Sequence, residues 1–187
     1  MKNLQILGIC GSLRRQSYNR SGLLAAAENM PSHMRMVEGS LRGIPVYDGD
    51  VEEQGIPAEV LRLAEEIRCA DALLIASPEY NFSISGTLKN AIDWLSRTTP
   101  QPFKNKPVAL LSVTPGPVGG ARQQYELRKV LGCLEAIVLP RPEIFIGLCA
   151  QRFDAEGRLV DETTRGLLGA QMHALNEWIT QVTPRDR

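Results

Sequence analysis

Cysteine is scarce in this chain and has no pattern. Cys10, Cys69, Cys133 and Cys149 are scattered, with no CxxC pair and no cysteine–histidine cluster. That argues against a disulfide framework and against a zinc or other metal site, and it suits thiols kept reduced in a cytosol. Net charge is missing as well: Lys and Arg total 21, and Asp and Glu total 21. Without a basic stripe, neither nucleic acid nor an anionic membrane surface is an expected partner. No apolar run is long enough to span a bilayer. The N-terminus shows one lysine and then a strand-like segment, without a signal-peptide h-region and cleavage site. Repeats, low-complexity tracts and inter-domain linkers are lacking too. What remains is an ordinary globular composition, 43% hydrophobic and 22% charged over 187 residues. The expectation is one cytoplasmic domain spanning residues 1–187.

Short apolar runs alternate with helical patterns. Residues 4–10 (LQILGIC), 71–77 (DALLIAS) and 108–113 (VALLSV) read as strands buried on both faces. Residues 34–37 form a weaker strand candidate, and 136–147 a split one, broken by Pro140 and Pro142. Between them, Leu23, Ala27 and Met30 recur at helical spacing, as do Val60, Ala64 and Ile67; segments 86–97 and 119–134 follow the third and fourth strands. The last helix steps through Leu168, Met172, Leu175, Ile179 and Val182, which leaves Gln171, Asn176 and Glu177 for solvent, with a frayed tail at 183–187. Five such βα units predict an α/β fold: a five-stranded parallel doubly wound sheet, helices on both faces, right-handed crossovers. In that architecture ligands sit beyond the carboxyl ends of the strands, so the loops after strands one, three and four hold the chemistry.

The first of these is GSLRRQSYN (11–19), where small hydroxyl residues, an arginine and a helix N-terminus can converge on an anion. It is neither GxxxxGK[ST] nor GxGxxG. Ser12, Arg14, Ser17 and Asn19 suit a terminal phosphomonoester better than a pyrophosphate; a plain helix cap by Ser17 or Asn19 is the other reading. The second, SPEYNFSISG (77–86), places Tyr80 and Asn81 where an aromatic and an amide can meet a flat heterocycle. The third, TPGPVGG (114–120), has glycines that let the backbone approach such a ligand. Alone, each of the last two also reads as an ordinary βα loop. Trp94 is expected in the core, Asp93 as a structural partner, and His33 and His173 at the surface.

The strings GSLRRQSYN (11–19), PEYNFSISGTLKNAIDWLSR (78–97), GPVGGARQQY (116–125) and IPVYDGDV (44–51) resemble the NADPH-dependent FMN reductase family, in its quinone and chromate reductase branch. The resemblance implies a flavodoxin-like three-layer sandwich that binds FMN and uses NAD(P)H as co-substrate. It implies that Ser12, Arg14, Ser17 and Asn19 hold the FMN phosphate, that Pro78, Glu79, Tyr80 and Asn81 line the ring, and that Tyr18, Thr114, Gly116 and Gly119 also belong to the cofactor site. Thr114 stands where close relatives often carry serine, and Phe82 shapes the acceptor side. No side chain is catalytic; the chemistry is two-electron, ping-pong transfer through flavin N5 to quinones, chromate, azo compounds or free flavin. A homodimer or homotetramer is implied, with Arg122, Tyr125 and Glu143 near its interface. A flavodoxin-type electron shuttle without enzymatic activity is the alternative.

Overall fold

The computed structural model describes residues 2–183, and positions 184–187 of the expected frayed tail lie outside the described residues. Three apolar runs form the centre of the molecule: β1 (Leu4–Cys10), β3 (Ala72–Ala76) and β6 (Pro107–Val113). All five residues of β3 and all seven of β6 are buried, as strands covered on both faces must be. β2 (Met34–Gly39) pairs with the outer edge of β1, in register from Leu4 opposite Met34 to Ile9 opposite Gly39. The other edge of β6 is shared by two short strands, β7 (Ile137–Val138) and β8 (Ile144–Ile146). Every pair in this sheet is parallel. The five predicted positions are thus present, in the order β2-β1-β3-β6 and then β7 with β8, but the fifth is two strands, giving six.

Side-chain alternation divides the core in two. Ile6, Leu74, Ala109 and Leu111 pack beneath α1 (Tyr18–Glu28) and α6 (Glu162–Val182). Leu7, Leu73, Ile75 and Leu110 pack beneath α3 (Ala58–Cys69), α4 (Gly86–Leu95) and α5 (Ala121–Cys133). This is the three-layer flavodoxin-like arrangement. Trp94 lies fully buried in the second layer, its indole N–H donating to the Pro45 carbonyl at 3.0 Å. A short α2 (Gly49–Gln54), capped by Asp48, precedes α3 and was not expected.

The split in the fifth strand has a chemical remedy. β7 bonds to the start of β6 and β8 to its end, so the rung at Leu110 between them has no strand partner. Gln171 fills it, its Nε2 donating to the Leu110 carbonyl at 2.8 Å and to the Pro142 carbonyl at 3.3 Å. Gln171 is therefore 1% exposed, and its assignment to solvent is corrected. It sits one residue before Met172, on the inner face of α6, and the unpaired edge of β6 needs a donor there. Asn176 Oδ1 accepts from the His33 ring Nε2–H at 2.8 Å, while Glu177 and His173 are exposed. Among the described residues, no helix is long and apolar enough to cross a membrane.

Candidate functional site

The chain turns one way after β1, toward β2, and the other way after β3, toward β6. The loops leaving these neighbouring strands therefore diverge and open a crevice, the place where doubly wound sheets bind ligands. Ser17 caps α1: its Oγ accepts from the Arg20 N–H at 3.4 Å. The first-turn N–H groups of Tyr18 and Asn19 have no partner within the helix and point to the same end. No acidic side chain lies in that first turn. With the Ser12 hydroxyl and the exposed Arg14, these groups form a set rich in donors, of a kind that suits a phosphate dianion.

Asn19 has a different task from the one its sequence suggests. Its side chain is 3% exposed, accepting the Val113 N–H at 3.0 Å and donating to the Val113 carbonyl at 2.9 Å. β3 makes its last bond to β6 when the Ser77 N–H reaches the Leu111 carbonyl. Two residues further along the same edge, Asn19 replaces the missing strand. Only its backbone is left for an anion, which corrects its side chain as a phosphate ligand. Gly22 makes this approach feasible: a Cβ there would lie 2.8 Å from Val113 Cγ2. Tyr18 packs its ring on Phe153 at 5.8 Å and lines a cavity of about 320 Å³ with Arg14, Arg15, Ser17 and the turn at Asp154.

The second loop is a hairpin rather than the expected plain loop. β4 (Glu79–Tyr80) pairs antiparallel with β5 (Ser83–Ile84) around Asn81 and Phe82, whose φ angles are +49° and +66°. Two successive left-handed residues make a type I′ turn, and a left-handed phenylalanine costs on the order of 1–2 kcal/mol. Phe82 stays 65% exposed, with the Arg122 guanidinium 4.1 Å above its ring. Glu79 accepts from the Arg122 N–H at 3.1 Å, the Gln123 N–H at 3.3 Å and the Arg122 side chain at 2.9 Å. It thus caps α5, whose own N-cap, Gly120, has no side chain. Pro78 is buried at the strand exit.

Between the second and third loops lies a cleft of about 440 Å³, bounded by Glu79, Thr114, Gly116, Val118, Gly120 and Arg122. Thr114 Oγ1 donates to the Gly116 carbonyl at 3.2 Å and fixes the turn. Gly116 has open space where a Cβ would be, so its backbone is approachable. Gly119 is not: it is buried behind the cleft at φ +68°, and a Cβ would lie 2.6 Å from the Phe145 carbonyl carbon. Its left-handed backbone makes it a turn-former. Tyr80 and Asn81 are exposed on the hairpin beside this cleft.

Two side chains that brace the site were missed. Ser85 Oγ donates to the Gly11 carbonyl at 2.6 Å, joining second loop to first; its only sequence signal is an N-cap serine before α4. Arg42 donates to the Leu13 carbonyl at 2.6 Å, and nothing in the sequence relates two residues 29 positions apart. Cys10 lies 3.6 Å from Ser17 Oγ, and burial raises its pKa, keeping it a neutral thiol. Of the expected interface residues, Arg122 pairs with Glu79, and Glu143 is nearly buried between Arg141 at 2.7 Å and Arg128 at 3.9 Å. Tyr125 is 56% exposed, 6.3 Å from the Phe145 ring.

A parallel sheet in this order, with helices on both faces and a crevice at the carboxyl edge, defines the flavodoxin-like class. The family model of the NADPH-dependent FMN reductases matches residues 4–151. An NAD(P)H-dependent FMN reductase of Pseudomonas aeruginosa is 46% identical over 180 residues, covering 96% of this chain and 97% of that protein. A quinone reductase of Escherichia coli is 42% identical over 184 residues, with 97% and 98% covered. The solved structure of a flavoenzyme NAD(P)H:(acceptor) oxidoreductase from Paracoccus denitrificans superposes with a TM-score of 0.87 at 31% identity, covering 96% of this chain and 98% of that one. The chain belongs to the NADPH-dependent FMN reductase family. It is an FMN-linked oxidoreductase, as the resemblance implied, and these relatives are enzymes rather than electron shuttles.

Proposed function

We propose that the chain is a single-domain, cytoplasmic NAD(P)H:quinone oxidoreductase that also accepts related small oxidants such as chromate, azo compounds or free flavin. The observation that carries the reading is the pairing of a helix N-terminus whose first turn has no acidic side chain, flanked by Ser12 and Arg14, with an approachable backbone cleft at one sheet edge. Ser12, Arg14, Ser17 and the N–H groups of Tyr18 and Asn19 hold the FMN phosphate. Glu79, Tyr80, Asn81, Thr114 and Gly116 border the ring. Bound FMN supplies a two-electron relay, so that NAD(P)H, a proton and a quinone become NAD(P)+ and a hydroquinone. The protein orients: the β4–β5 hairpin stays fixed by Glu79 on α5, and backbone N–H groups near Gly116 offer donors to negative charge developing at the ring. Four free cysteines suit a reducing compartment. The exposed Tyr125 and Val118, close to Arg122, suit a homodimer or homotetramer with the cleft near its shared face; light scattering on the FMN-loaded protein tests it.

The functional test is anaerobic. FMN-loaded protein is mixed with excess NADPH, and separately NADH, and flavin absorbance is followed. Fast two-electron bleaching reversed by a benzoquinone is expected. Tight FMN binding with no bleaching by either nucleotide overturns the proposal.

A further inference from the structure

The phosphate end of the flavin site adjoins a second basic feature. Arg14 and Arg15 from the first loop, Arg20 from α1 and Arg42 from the segment after β2 line a groove of about 310 Å³. Groove and phosphate cradle are contiguous. Ser12 and Arg14 belong to both, and Cys10, in the groove wall, has its Sγ 3.6 Å from the Ser17 Oγ that caps α1. The carboxylates nearby are already occupied. Glu38 takes two bonds from Arg20, both 2.8 Å; Asp154 and Glu156, in the neighbouring cavity, take Arg158 at 2.8 and 3.1 Å. Among the described residues, no carboxylate pairs with Arg14, Arg15 or Arg42. Arg42 gives one N–H to the Leu13 carbonyl at 2.6 Å, and the Arg15 side chain makes no hydrogen bond among them.

A single phosphomonoester uses Arg14, the Ser12 and Ser17 hydroxyls and the start of α1. That leaves Arg15 and Arg42 without a counter-charge, and like charges around a small groove repel one another unless an anion sits among them. Their planar forks match phosphate oxygens. Because Ser12 and Arg14 serve both places, an anion in the groove is a neighbour of the flavin's own phosphate, as two phosphates joined by a bridging oxygen are. Leu13, 41% exposed in the same wall, offers an apolar surface to a base beyond it.

We propose that this groove receives the outer phosphate of a flavin dinucleotide, so that the chain binds FAD as well as FMN, with Arg15 and Arg42 admitting the larger cofactor. The inference rests on the flavin reading of the α1 end and extends it to which flavin is held. A phosphomonoester carries about 1.5–2 negative charges near neutral pH. In FAD the inner phosphate is a singly charged diester, which weakens its hold on the cradle, and the outer phosphate supplies the missing charge over the groove. Each arginine–phosphate contact corresponds to about tenfold or more in affinity, so Arg15 and Arg42 together offset that loss.

The experiment titrates flavin-free protein with FMN and with FAD by calorimetry, in the native chain, Arg15→Ala and Arg42→Ala. The native chain should bind FAD within about tenfold of FMN, and each substitution should weaken FAD about tenfold while FMN affinity holds. A native chain that takes FMN but binds FAD about a hundredfold more weakly overturns the proposal, and so does an Arg15→Ala loss shared equally by both flavins. If Arg42→Ala also loosens FMN through its bond to Leu13, Arg15→Ala decides alone, because its side chain braces nothing. Inorganic pyrophosphate titrated into FMN-loaded protein distinguishes a free anion from a flavin's own phosphate. Weak binding is expected, and pyrophosphate held there as tightly as FAD is held by flavin-free protein would mean a separate anion site and overturn the proposal. A chain that binds FMN, is bleached by NAD(P)H and refuses FAD leaves the reductase reading standing while this inference falls. A native chain that binds neither flavin overturns both.

Discussion

Replacing Asn19 by alanine separates a strand surrogate from a flavin ligand. The amide makes two hydrogen bonds to the backbone of Val113, itself 2% exposed. Its removal orphans one buried N–H and one buried C=O, at about 1–3 kcal/mol each. The expected loss is therefore about 2–6 kcal/mol, a large share of the roughly 5–15 kcal/mol that holds an ordinary domain. For a chain of this size the melting temperature should fall by on the order of 10 °C. Urea unfolding of flavin-free protein, followed by circular dichroism, removes the contribution that FMN makes by binding only the folded state. Asn19→Asp should lose at least as much: it keeps an acceptor for the N–H but faces the Val113 carbonyl with a charge. If Asn19→Ala instead kept its stability within about 0.5 kcal/mol and FMN affinity fell a hundredfold, the side chain would be a phosphate ligand and the clamp argument would be wrong.

Arg14→Ala should leave urea stability almost untouched and weaken FMN binding about ten- to a hundredfold, the size of one charge-assisted contact; unchanged affinity in a fluorescence titration refutes its place in the cradle. Gln171→Leu should cost about 1–3 kcal/mol by leaving the Leu110 rung without a donor, and a stability gain would mean that packing outweighs the rung. Asp161 caps α6, and its bonds from the Thr164 hydroxyl and N–H, with Arg152 beside it, hold its pKa below the ordinary aspartate range. A depressed carboxylate stabilises fully above its unfolded pKa of about 3.9 and loses that contribution as pH falls through the folded value. Melting curves from pH 7 to pH 2.5 should therefore show a smaller acid-induced drop in Asp161→Asn than in the native chain; equal drops refute the cap's share.

Much of the scaffold was legible because burial on both faces leaves a strong mark. The run 4–10 is β1 to the residue, and 71–77 and 108–113 overlap β3 and β6 within a residue at each end. Pro140 and Pro142 marked the break between β7 and β8, because proline donates nothing to a ladder. The remedy for that break was illegible: periodicity sends a glutamine outward, and only the three-dimensional gap at Leu110 calls one in. The hairpin at 79–84 was hidden because its turn uses Asn-Phe where the usual signal is Asn-Gly. In the candidate site, Ser12, Arg14 and Ser17 lie on the loop after β1 and at the start of α1. Asn19, Pro78 and Gly119 were read from the same loops, but side-chain direction is not written in spacing. Glu79 borders the cleft and caps α5, a role set by a partner 43 residues away.

The loops at the sheet edge are cross-braced: Ser85 holds Gly11, Asn19 holds Val113, Arg42 holds Leu13 and Glu79 holds the start of α5. Each brace joins two segments that are far apart in the chain. Loop exchange between related enzymes, a common way to retune acceptor choice, should therefore fail when one loop is moved alone and succeed when braced segments travel together. For engineering and for descent alike, the heritable unit of this site is the set of loops, with substitutions in one changing what the others tolerate.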